Sequence, residues 1–468
     1  MSASESRGRQ ERRRSGREIR ASVPHASLGQ WHPPADRRDP VQILIEQGQS
    51  RVPDLVPVRY ARMLSSEFAF YRGAAAVMAS DLSYSPATHL TVQLAGDAHL
   101  ANFGGYAAPD REFVFDVNDF DETLPGPFEW DLKRLVASFA VAARGLDFDR
   151  KTRAHIVSRV VRTYREGVRD FSRMSRLDVW YSRLTAEDIQ ERWDADVGKK
   201  HRKAFRKTIA KAKTRNSLSA LRKLTRTGSN GKIEFDSNPP FLEPFDEVID
   251  EQQRQVYRRA VQSGLVAYRR SLISDRRILF SGYRVVDLAR KVVGVGSVGT
   301  RCWVMLLMAD QDEKDVLMLQ LKQASASVLE PYLGRSRTAH HGQRVVEGQR
   351  VMQAASDILL GWTQVELPDQ QADFYVRQMW DWKESADIDR MDAASMDAYA
   401  RLCGWTLARA HCRSGDRVAL AGYLGDDDTL DASLTGFAED YADQNAEDFA
   451  AMKKAASAGR IEVASAGW

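Results

Sequence analysis

A polar motif after a strand candidate constrains this chain more than any other feature: Gly-Asp-Ala-His-Leu-Ala-Asn at residues 96–102. The strand candidates on either side are residues 89–94 and 113–117. A second polar sequence, Asn-Asp-Phe-Asp at residues 118–121, follows the second strand directly. An Asp and an Asn five positions apart, then an Asp-Phe pair after a strand, form the arrangement that phosphoryl transfer uses for a hydroxyl-orienting base and a magnesium ion. The pattern therefore predicts a kinase-type active site.

The acidic and amide side chains of these sequences have separate predicted roles. Asp97 accepts or orients the proton of an attacking hydroxyl group, and Asn102 offers its carboxamide oxygen to a metal ion. Asp119 supplies a carboxylate to the same ion, because Mg²⁺ prefers one or two carboxylates together with phosphate oxygens. Asp121 is a further metal candidate, and Asp116 and Asp121 are also candidates for a second metal ion or for substrate. The alternative is that these acids only form turns or cap helices.

A glycine-rich turn is the second candidate site. Its glycines are Gly294, Gly296 and Gly299, and Arg301 follows them. A dinucleotide site would require a helix next, but residues 302–308 have a strand pattern. A glycine turn inside a hairpin is instead the kinase arrangement, in which backbone N–H groups cover phosphates and Arg301 could add charge. A bulged hairpin without a ligand is the alternative.

A lysine ends the next apolar strand. Residues 292–309 and 316–323 are apolar runs joined by a polar turn, which predicts a hairpin, and Lys322 lies at the end of the second run. This position matches the ATP-anchoring lysine of kinases. Its acidic partner is expected on the following helix, with Glu347 preferred and Glu330 as the second choice. Either acid could equally be a solvated helix charge.

The sequence around the acidic motif resembles that of aminoglycoside and choline phosphotransferases. Their signature is His-Gly-Asp-x-x-x-x-Asn, then Ile-Asp-Trp and Asp-Leu-Ala, and here Asp131-Leu132 opens a helix at the corresponding interval after Asp119. Ala95 stands where those enzymes have the His, which is a structural residue. The resemblance implies ATP as a substrate and Mg²⁺ as a cofactor.

The order of these elements differs from that of a usual kinase, in which the glycine loop and lysine precede the catalytic loop. Residues 407–411, Leu-Ala-Arg-Ala-His, are similar to the helix that precedes that loop in small-molecule kinases. The resemblance therefore implies an α+β, bilobed, protein-kinase-like fold that is circularly permuted, with a mostly helical large lobe and a small β-rich lobe. Such cuts are tolerated in exposed loops. We expect Lys322 within salt-bridge or shared-phosphate distance of Asp119, and the C-terminal end of the 399–411 helix beneath the Asp97 loop.

Five short sequences also resemble a bacterial family known as domain of unknown function 2252. They lie at residues 66–73, 96–104, 344–350, 375–378 and 407–411. The resemblance covers residues 40–450. It implies a fold and a site more than a substrate.

The chain divides into four predicted segments. Residues 1–40 are rich in Arg, Ser and Pro and are expected to be a disordered tail. Residues 41–280 form a helical lobe with the catalytic and metal-binding loops, and residues 281–383 form a β-rich nucleotide-binding lobe. Residues 384–468 are helices that complete the large lobe.

Composition limits the location and the partners. The chain has 468 residues and three cysteines, which favours a reducing cytoplasm over a disulfide framework. The longest uninterrupted apolar run near the middle, residues 303–309, is far shorter than the roughly 20 residues that span a bilayer, so we expect no membrane contact. A segment from Lys199 to Arg226 holds twelve basic and no acidic residues, which fits either a solvated helix or a nucleic-acid surface.

These observations favour an enzyme, an ATP- and Mg²⁺-dependent phosphotransferase acting on an unidentified small-molecule or protein hydroxyl. One alternative is nucleotidyl (AMP) transfer to protein, if ATP binds in the reverse direction. Another is a nucleotide-binding pseudokinase or scaffold, although a pure binder would not need Asp97. Nucleic-acid binding rests on the basic segment alone.

Overall fold

The computed structural model describes residues 3–193, 207–228, 231–292, 294–309, 315–368, 370–379 and 382–465, and the fold is mixed α+β. The helices are Ala3–Ser22, His25–Leu28, Pro40–Gly48, Val56–Met63, Glu67–Gly73, Ala75–Leu82, Phe128–Gly145, Arg150–Arg173, Arg176–Tyr181, Ala186–Trp193, Ser217–Leu224, Phe245–Val248, Glu251–Ser271, Ser274–Ser281, Glu330–Leu333, His341–Met352, Ala393–Ser414, Arg417–Leu424 and Thr429–Ser457. The strands are β1 (Thr91–Leu94), β2 (Phe103–Ala107), β3 (Phe113–Val117), β4 (Leu124–Pro127), β5 (Leu184–Thr185), β6 (Thr225–Thr227), β7 (Ile233–Phe235), β8 (Leu242–Pro244), β9 (Tyr283–Lys291), β10 (Cys302–Ala309), β11 (Val316–Ala324), β12 (Gly361–Glu366), β13 (Gln371–Gln378) and β14 (Glu384–Ser385).

A six-stranded antiparallel sheet has the order β12-β13-β11-β10-β9-β8. The apolar strands β10 and β11 lie in its centre, where both faces are buried, as expected for near-continuous apolar runs. They pair from Cys302–Lys322 to Met308–Val316, which confirms the hairpin, although most of its turn lies outside the described residues. Strand β8 and the Glu251–Ser271 helix, which precede residue 281, also belong to this sheet region.

A smaller sheet carries the acidic motif. Its order is β14-β2-β3-β5, and β1 pairs separately with β4. Residues 95–102 connect β1 to β2, and residues 118–123 connect β3 to β4. Because β2 and β3 are antiparallel neighbours, Asn102 and Asn118 lie side by side, and the Asn118 N–H donates to the Asn102 carbonyl at 2.8 Å. This pairing brings the two polar sequences together.

Long helices form the main core beside these strands. The Phe128–Gly145 helix is buried from Phe128 through Ala143, including its charged residues, and it contacts the Arg150–Arg173 and Thr429–Ser457 helices. The Ala393–Ser414 helix packs along the Arg150–Arg173 helix. Among the helices described, none is both long enough and apolar enough to cross a membrane.

The N-terminal segment is folded, which corrects the expectation of a disordered tail. The Ala3–Ser22 helix packs along the Arg417–Leu424 helix, and a Cβ at Gly16 would lie 1.9 Å from the Ala419 carbonyl oxygen. Leu28 and Trp31 are buried in the main core. Composition misled the prediction because the apolar partners of this segment come from the other end of the chain.

Arginines of this segment bind acids from distant parts of the chain. Arg20 pairs with Asp427 at 2.8 Å. Arg37 pairs with Asp81 at 2.7 Å and with Asp448 at 2.6 Å, and all three side chains are largely buried. These ion pairs hold the segment against the helical core.

Candidate active site

The Asp97 loop is held from beneath by a buried carboxylate. Asp131 accepts hydrogen bonds from the Ala95 N–H at 2.7 Å and the Gly96 N–H at 2.9 Å, and His411 Nε2 lies 3.2 Å from the same carboxylate. Gly96 has a φ of +83°, and a Cβ there would meet the Glu122 carbonyl. The end of the Ala393–Ser414 helix thus lies under the loop, as the sequence predicts.

Asp97 is partly buried, with its side chain 19% exposed, and His99 Nε2 lies 3.7 Å from its Oδ2. Arg134 Nε donates to Asp97 Oδ1 at 2.8 Å, and Asn102 Nδ2 donates to the Asp97 carbonyl at 2.8 Å. Burial raises the pKa of the Asp97 carboxyl, although Arg134 opposes the rise. His99 is buried, and burial lowers its pKa far below the usual range, so it is neutral.

Lys322 joins the large sheet to the acidic motif. Its ammonium lies 3.6 Å from Asp119 Oδ2 and also contacts Asp121, and its side chain is only 2% exposed. Burial by itself would raise the pKa of Asp119, but Lys322 and Arg377 hold it at about 2. The predicted closeness of Lys322 and Asp119 is confirmed.

Asp121 contacts several protein groups, and its role as a metal ligand stays a prediction. Besides Lys322, its carboxylate accepts a hydrogen bond from the Tyr375 hydroxyl at 2.8 Å. Arg344 donates to the Asp121 carbonyl at 2.7 Å. Asp121 therefore positions the lysine.

Asp116 is buried and its carboxylate binds protein groups, so it is not a candidate for a second metal ion. It is 1% exposed, pairs with the buried Arg409, and accepts the Ala354 N–H at 2.8 Å. Its bonds join β3 to the Ala393–Ser414 helix. A carboxylate with these partners has no oxygen directed at a ligand.

The predicted partners of Lys322 are wrong. Glu347 is exposed and accepts hydrogen bonds from Gln343 at 2.6 Å and Thr338 at 3.2 Å. Glu330 accepts the Ser327 N–H at 3.4 Å. Because Asp119 and Asp121 supply the negative charge beside Lys322, neither glutamate is needed there.

Part of the glycine turn lies beside the acidic motif, and another part packs elsewhere. Gly294 and Gly296 face the site, and Ser297 Oγ lies 3.5 Å from the Asp121 carboxylate. Gly299 has a φ of +90° and packs against Arg51. Arg301 lines a different, apolar cavity, which corrects its prediction as a phosphate contact.

Two cavities meet beside Asp119. The first, of about 160 Å³, is lined by Asp97, Arg51 and Glu122. The second, of about 380 Å³, is lined by Lys322 and cationic neighbours. Residues that line both are Arg72, Asn102, Asp119, Gly294 and Ser297.

A model of one known family matches most of the chain. A family model described as uncharacterized protein conserved in bacteria (DUF2252) covers residues 51–455. This chain belongs to the DUF2252 family. No match was found among curated proteins or among solved structures.

Several charged residues of this DUF2252 site were not predicted. Arg377 and Tyr375 alternate with apolar residues on β13. Polar residues in a strand that is otherwise apolar could have indicated their role in the site. Arg51 lies in the loop after the Pro40–Gly48 helix, and Arg72 lies in the Glu67–Gly73 helix; neither had a predicted role in the site. Each has a buried Nε without a hydrogen-bond partner among the described residues. Both guanidinium groups line the smaller cavity.

Glu122 is the other unpredicted group. Its Oε2 accepts the Val328 N–H at 2.7 Å, and it lines the same cavity as Asp97. Burial raises the pKa of Glu122 to about 7, although Val328 and Arg344 oppose the rise. Glu122 therefore changes charge near neutral pH.

Asn102 and Asp119 both line the two cavities, and their side-chain oxygens are the kind of ligand that Mg²⁺ takes. Asn102 uses its amide nitrogen on Asp97, and its Oδ1 has no protein hydrogen bond within the described part of the chain. In the same part, no group of three or more His, Cys, Asp or Glu could hold a metal ion. A magnesium ion here would thus need oxygens from a bound phosphate or water to complete its shell.

Proposed function

We propose that this chain is an ATP- and Mg²⁺-dependent phosphotransferase. One observation carries the proposal: Lys322 from the large sheet meets Asp119 in a cleft that also contains Asp97, Asn102 and the glycine turn. A lysine, an acidic metal ligand, an amide ligand and a base are the parts that phosphoryl transfer requires. Their distant positions in the sequence make a purely local structural role a weak explanation.

The proposed fold is a circularly permuted, bilobed kinase-like fold. The six-stranded sheet supplies the glycine turn and Lys322, and the helical core supplies the catalytic loop. The contact from His411 through Asp131 to Gly96 supports the permutation, because it joins the helix that would precede the loop to the loop itself. Glu347 departs from the kinase pattern, since Asp121 takes the acidic position beside Lys322.

The larger cavity is the proposed nucleotide site. Lys322, Arg377 and Lys383 line it, and their positive charge would attract a triphosphate. Arg377 and burial lower the pKa of Lys383 to about 7, and a bound phosphate would favour its charged form. The strand end at Gln378 and the following Met379 line the same cavity, where a base could lie.

Asp119 and Asn102 would hold the magnesium ion, which would neutralise phosphate charge during transfer. Asp97 would receive the proton. Arg134 occupies its Oδ1, and Oδ2, which lies 3.7 Å from His99 Nε2, would receive the proton of the acceptor hydroxyl. As the hydroxyl oxygen bonds to the γ-phosphorus, the bond to the β–γ bridging oxygen breaks, ADP leaves, and the hydroxyl proton passes to Asp97.

The smaller cavity favours a compact polar acceptor over a folded protein surface, because the cavity that Asp97 lines holds only about 160 Å³. Arg51 and Arg72 would attract an acceptor that carries negative charge. They also support a second candidate function. If the terminal phosphates lay on these arginines, the α-phosphate would face the acceptor. The acceptor oxygen would then bond to the α-phosphorus, the α–β bridging bond would break, and pyrophosphate would leave with a nucleotidylated product.

A labelling experiment separates these functions. Thermal unfolding with ATP, with and without Mg²⁺, first tests binding, and a metal-dependent rise in melting temperature is expected. Label from γ-phosphate ATP in a product would then support phosphotransfer, and label from α-phosphate ATP would support nucleotidyl transfer. Binding without either product, across a panel of polar acceptors and proteins, would favour a pseudokinase. No metal-dependent shift at millimolar nucleotide would count against the proposed function.

Nucleic-acid binding stays a prediction. Residues 199–206 of the basic segment lie outside the described residues. In the described part, Arg215 pairs with Glu384 at 2.6 Å, and Arg226 pairs with Glu234 at 3.2 Å. These ion pairs reduce the charge that a nucleic acid would meet.

A further inference from the structure

An apolar cavity of about 210 Å³ lies between the Glu251–Ser271 helix and one face of the six-stranded sheet. Val261 and Leu265 form part of its roof, because residues four apart share a helix face. Met305 and Leu319 form part of its floor. The cavity is separate from both cavities beside Asp119.

Contacts fix the distance between the Glu251–Ser271 helix and the sheet, and at this distance the cavity stays open. Thr363 Oγ1 donates to the Gly264 carbonyl at 2.6 Å, and the Tyr268 hydroxyl donates to the Leu359 carbonyl at 2.6 Å. A Cβ at Gly264 would already lie 2.9 Å from Val365. The helix therefore cannot move closer to the sheet at this point.

The size of the cavity is unusual for a packed interior. Protein cores contain few voids larger than a water molecule, because an unfilled void loses dispersion contacts. An engineered apolar cavity of about 150 Å³ stays dry and binds benzene. A larger apolar space that hydrogen bonds hold open is therefore better explained as a ligand site than as a packing defect.

We infer that this cavity binds a small uncharged apolar molecule, or the hydrocarbon end of one, about as large as an octyl chain. Its lining is mostly carbon. Two of its polar groups already have partners, since Arg290 pairs with Glu243 at 2.6 Å and Thr363 bonds to Gly264. A charged group among these carbon atoms would lose hydration, so we place any polar end of the ligand at the rim.

The ligand would contact the strands that carry the proposed phosphate site. Leu321 and Val376 face the apolar cavity, whereas Lys322, Tyr375 and Arg377 alternate with them toward the opposite face. Filling the cavity would restrain β11 and β13. An effect on Mg·ATP affinity would follow, and this consequence rests on the proposed function, whereas binding of the apolar ligand does not.

Titration calorimetry with n-octanol, without nucleotide, tests the inference. The full chain should bind n-octanol saturably at one site. Val261→Trp fills the cavity and should weaken binding at least about tenfold. Val266→Trp places the same side chain on the exposed face of the same helix and should change affinity by no more than about twofold.

The smaller substitution Val261→Phe provides a second test if circular dichroism shows that Val261→Trp is unfolded, and it should also weaken binding. Absence of saturable binding to the wild-type chain would overturn the inference. So would equal binding by the folded Val261 variants and the wild type. Because no nucleotide is present, failure of the phosphotransferase proposal would leave these results unchanged. A change in Mg·ATP affinity on adding n-octanol would report the coupling separately.

Discussion

Lys322 Nζ lies 3.6 Å from Asp119 Oδ2, although Lys322 belongs to the six-stranded sheet, Asp119 to a loop beside the smaller sheet, and the two residues to different halves of the sequence. The ion pair joins β11, which pairs with the strand after the glycine turn, to the loop that follows β3. It leaves the Asp119 carboxylate ionised, with a pKa of about 2. A cation and an ionised carboxylate at the junction of two cavities form the centre of the proposed site.

Asp97 and Asp119 should affect different steps. Asp119→Asn should weaken Mg·ATP binding by about tenfold or more, because a carboxylate ligand is lost. Asp97→Asn should leave that affinity within about threefold and reduce turnover by about 100-fold or more, because it removes the base. Titration calorimetry measures the first effect and product formation the second. Equal loss of nucleotide affinity in both variants would contradict the division of roles.

Lys322 and Glu347 provide a matched pair of substitutions. Lys322→Met should lower Mg·ATP affinity by about tenfold or more, because a buried phosphate-facing cation is removed. Glu347→Ala should change affinity by less than about twofold and stability by no more than about 0.5 kcal/mol, because the side chain is exposed. Calorimetry and thermal unfolding measure the two effects. A large loss of Mg·ATP affinity in Glu347→Ala would contradict this account, because it would support Glu347 as the partner of Lys322.

The sequence was sufficient to predict the parts of the site that lie in local motifs. Asp97, Asn102 and Asp119 follow strands at short spacings, and Lys322 ends an apolar strand, so each position carries its own signal. The partner of Lys322 depends on how the helix after it is rotated and docked. The Arg344 side chain of that helix contacts the Asp121 loop, and the Glu347 side chain is exposed to solvent. No local sequence pattern predicts this orientation of the helix.

The fold shows the same division between local and distant determinants. The β10–β11 hairpin follows from two adjacent apolar runs, and it was predicted correctly. The Ala3–Ser22 helix is poor in apolar residues, and its stability depends on Gly16 meeting the Arg417–Leu424 helix. Amino-acid composition does not reveal contacts between segments that lie near opposite ends of the chain.

Glu122 should make stability depend on pH. Its folded pKa of about 7 lies above its ordinary value of 4.5, so the folded state favours the protonated carboxyl. The stabilisation is complete below the unfolded pKa and is lost as the pH rises through about 7. Glu122→Gln keeps a neutral side chain and should gain about 1–2 kcal/mol over wild type between about pH 5 and pH 8. Denaturant unfolding measures this, and a difference that does not change with pH would contradict the assignment.

The N-terminal helix should contribute to stability through Gly16. Gly16→Leu would place a side chain against the Ala419 carbonyl and should destabilise the chain by about 1–3 kcal/mol. Gly8→Leu is the control, because nothing lies within 4 Å of a Cβ at that position in the same helix. Thermal unfolding of both variants measures the effect. Equal melting temperatures would show that the helix does not dock on the Arg417–Leu424 helix.

A crystal structure with a non-hydrolysable ATP analogue and Mg²⁺ tests the central claim most directly. We predict that the triphosphate lies between Lys322 and the turn at Gly294, with the metal ion on Asp119 and Asn102 and the terminal phosphate facing Asp97 or, for nucleotidyl transfer, Arg51 and Arg72. A nucleotide bound away from this cleft, or a cleft that stays empty at millimolar analogue, would contradict the account.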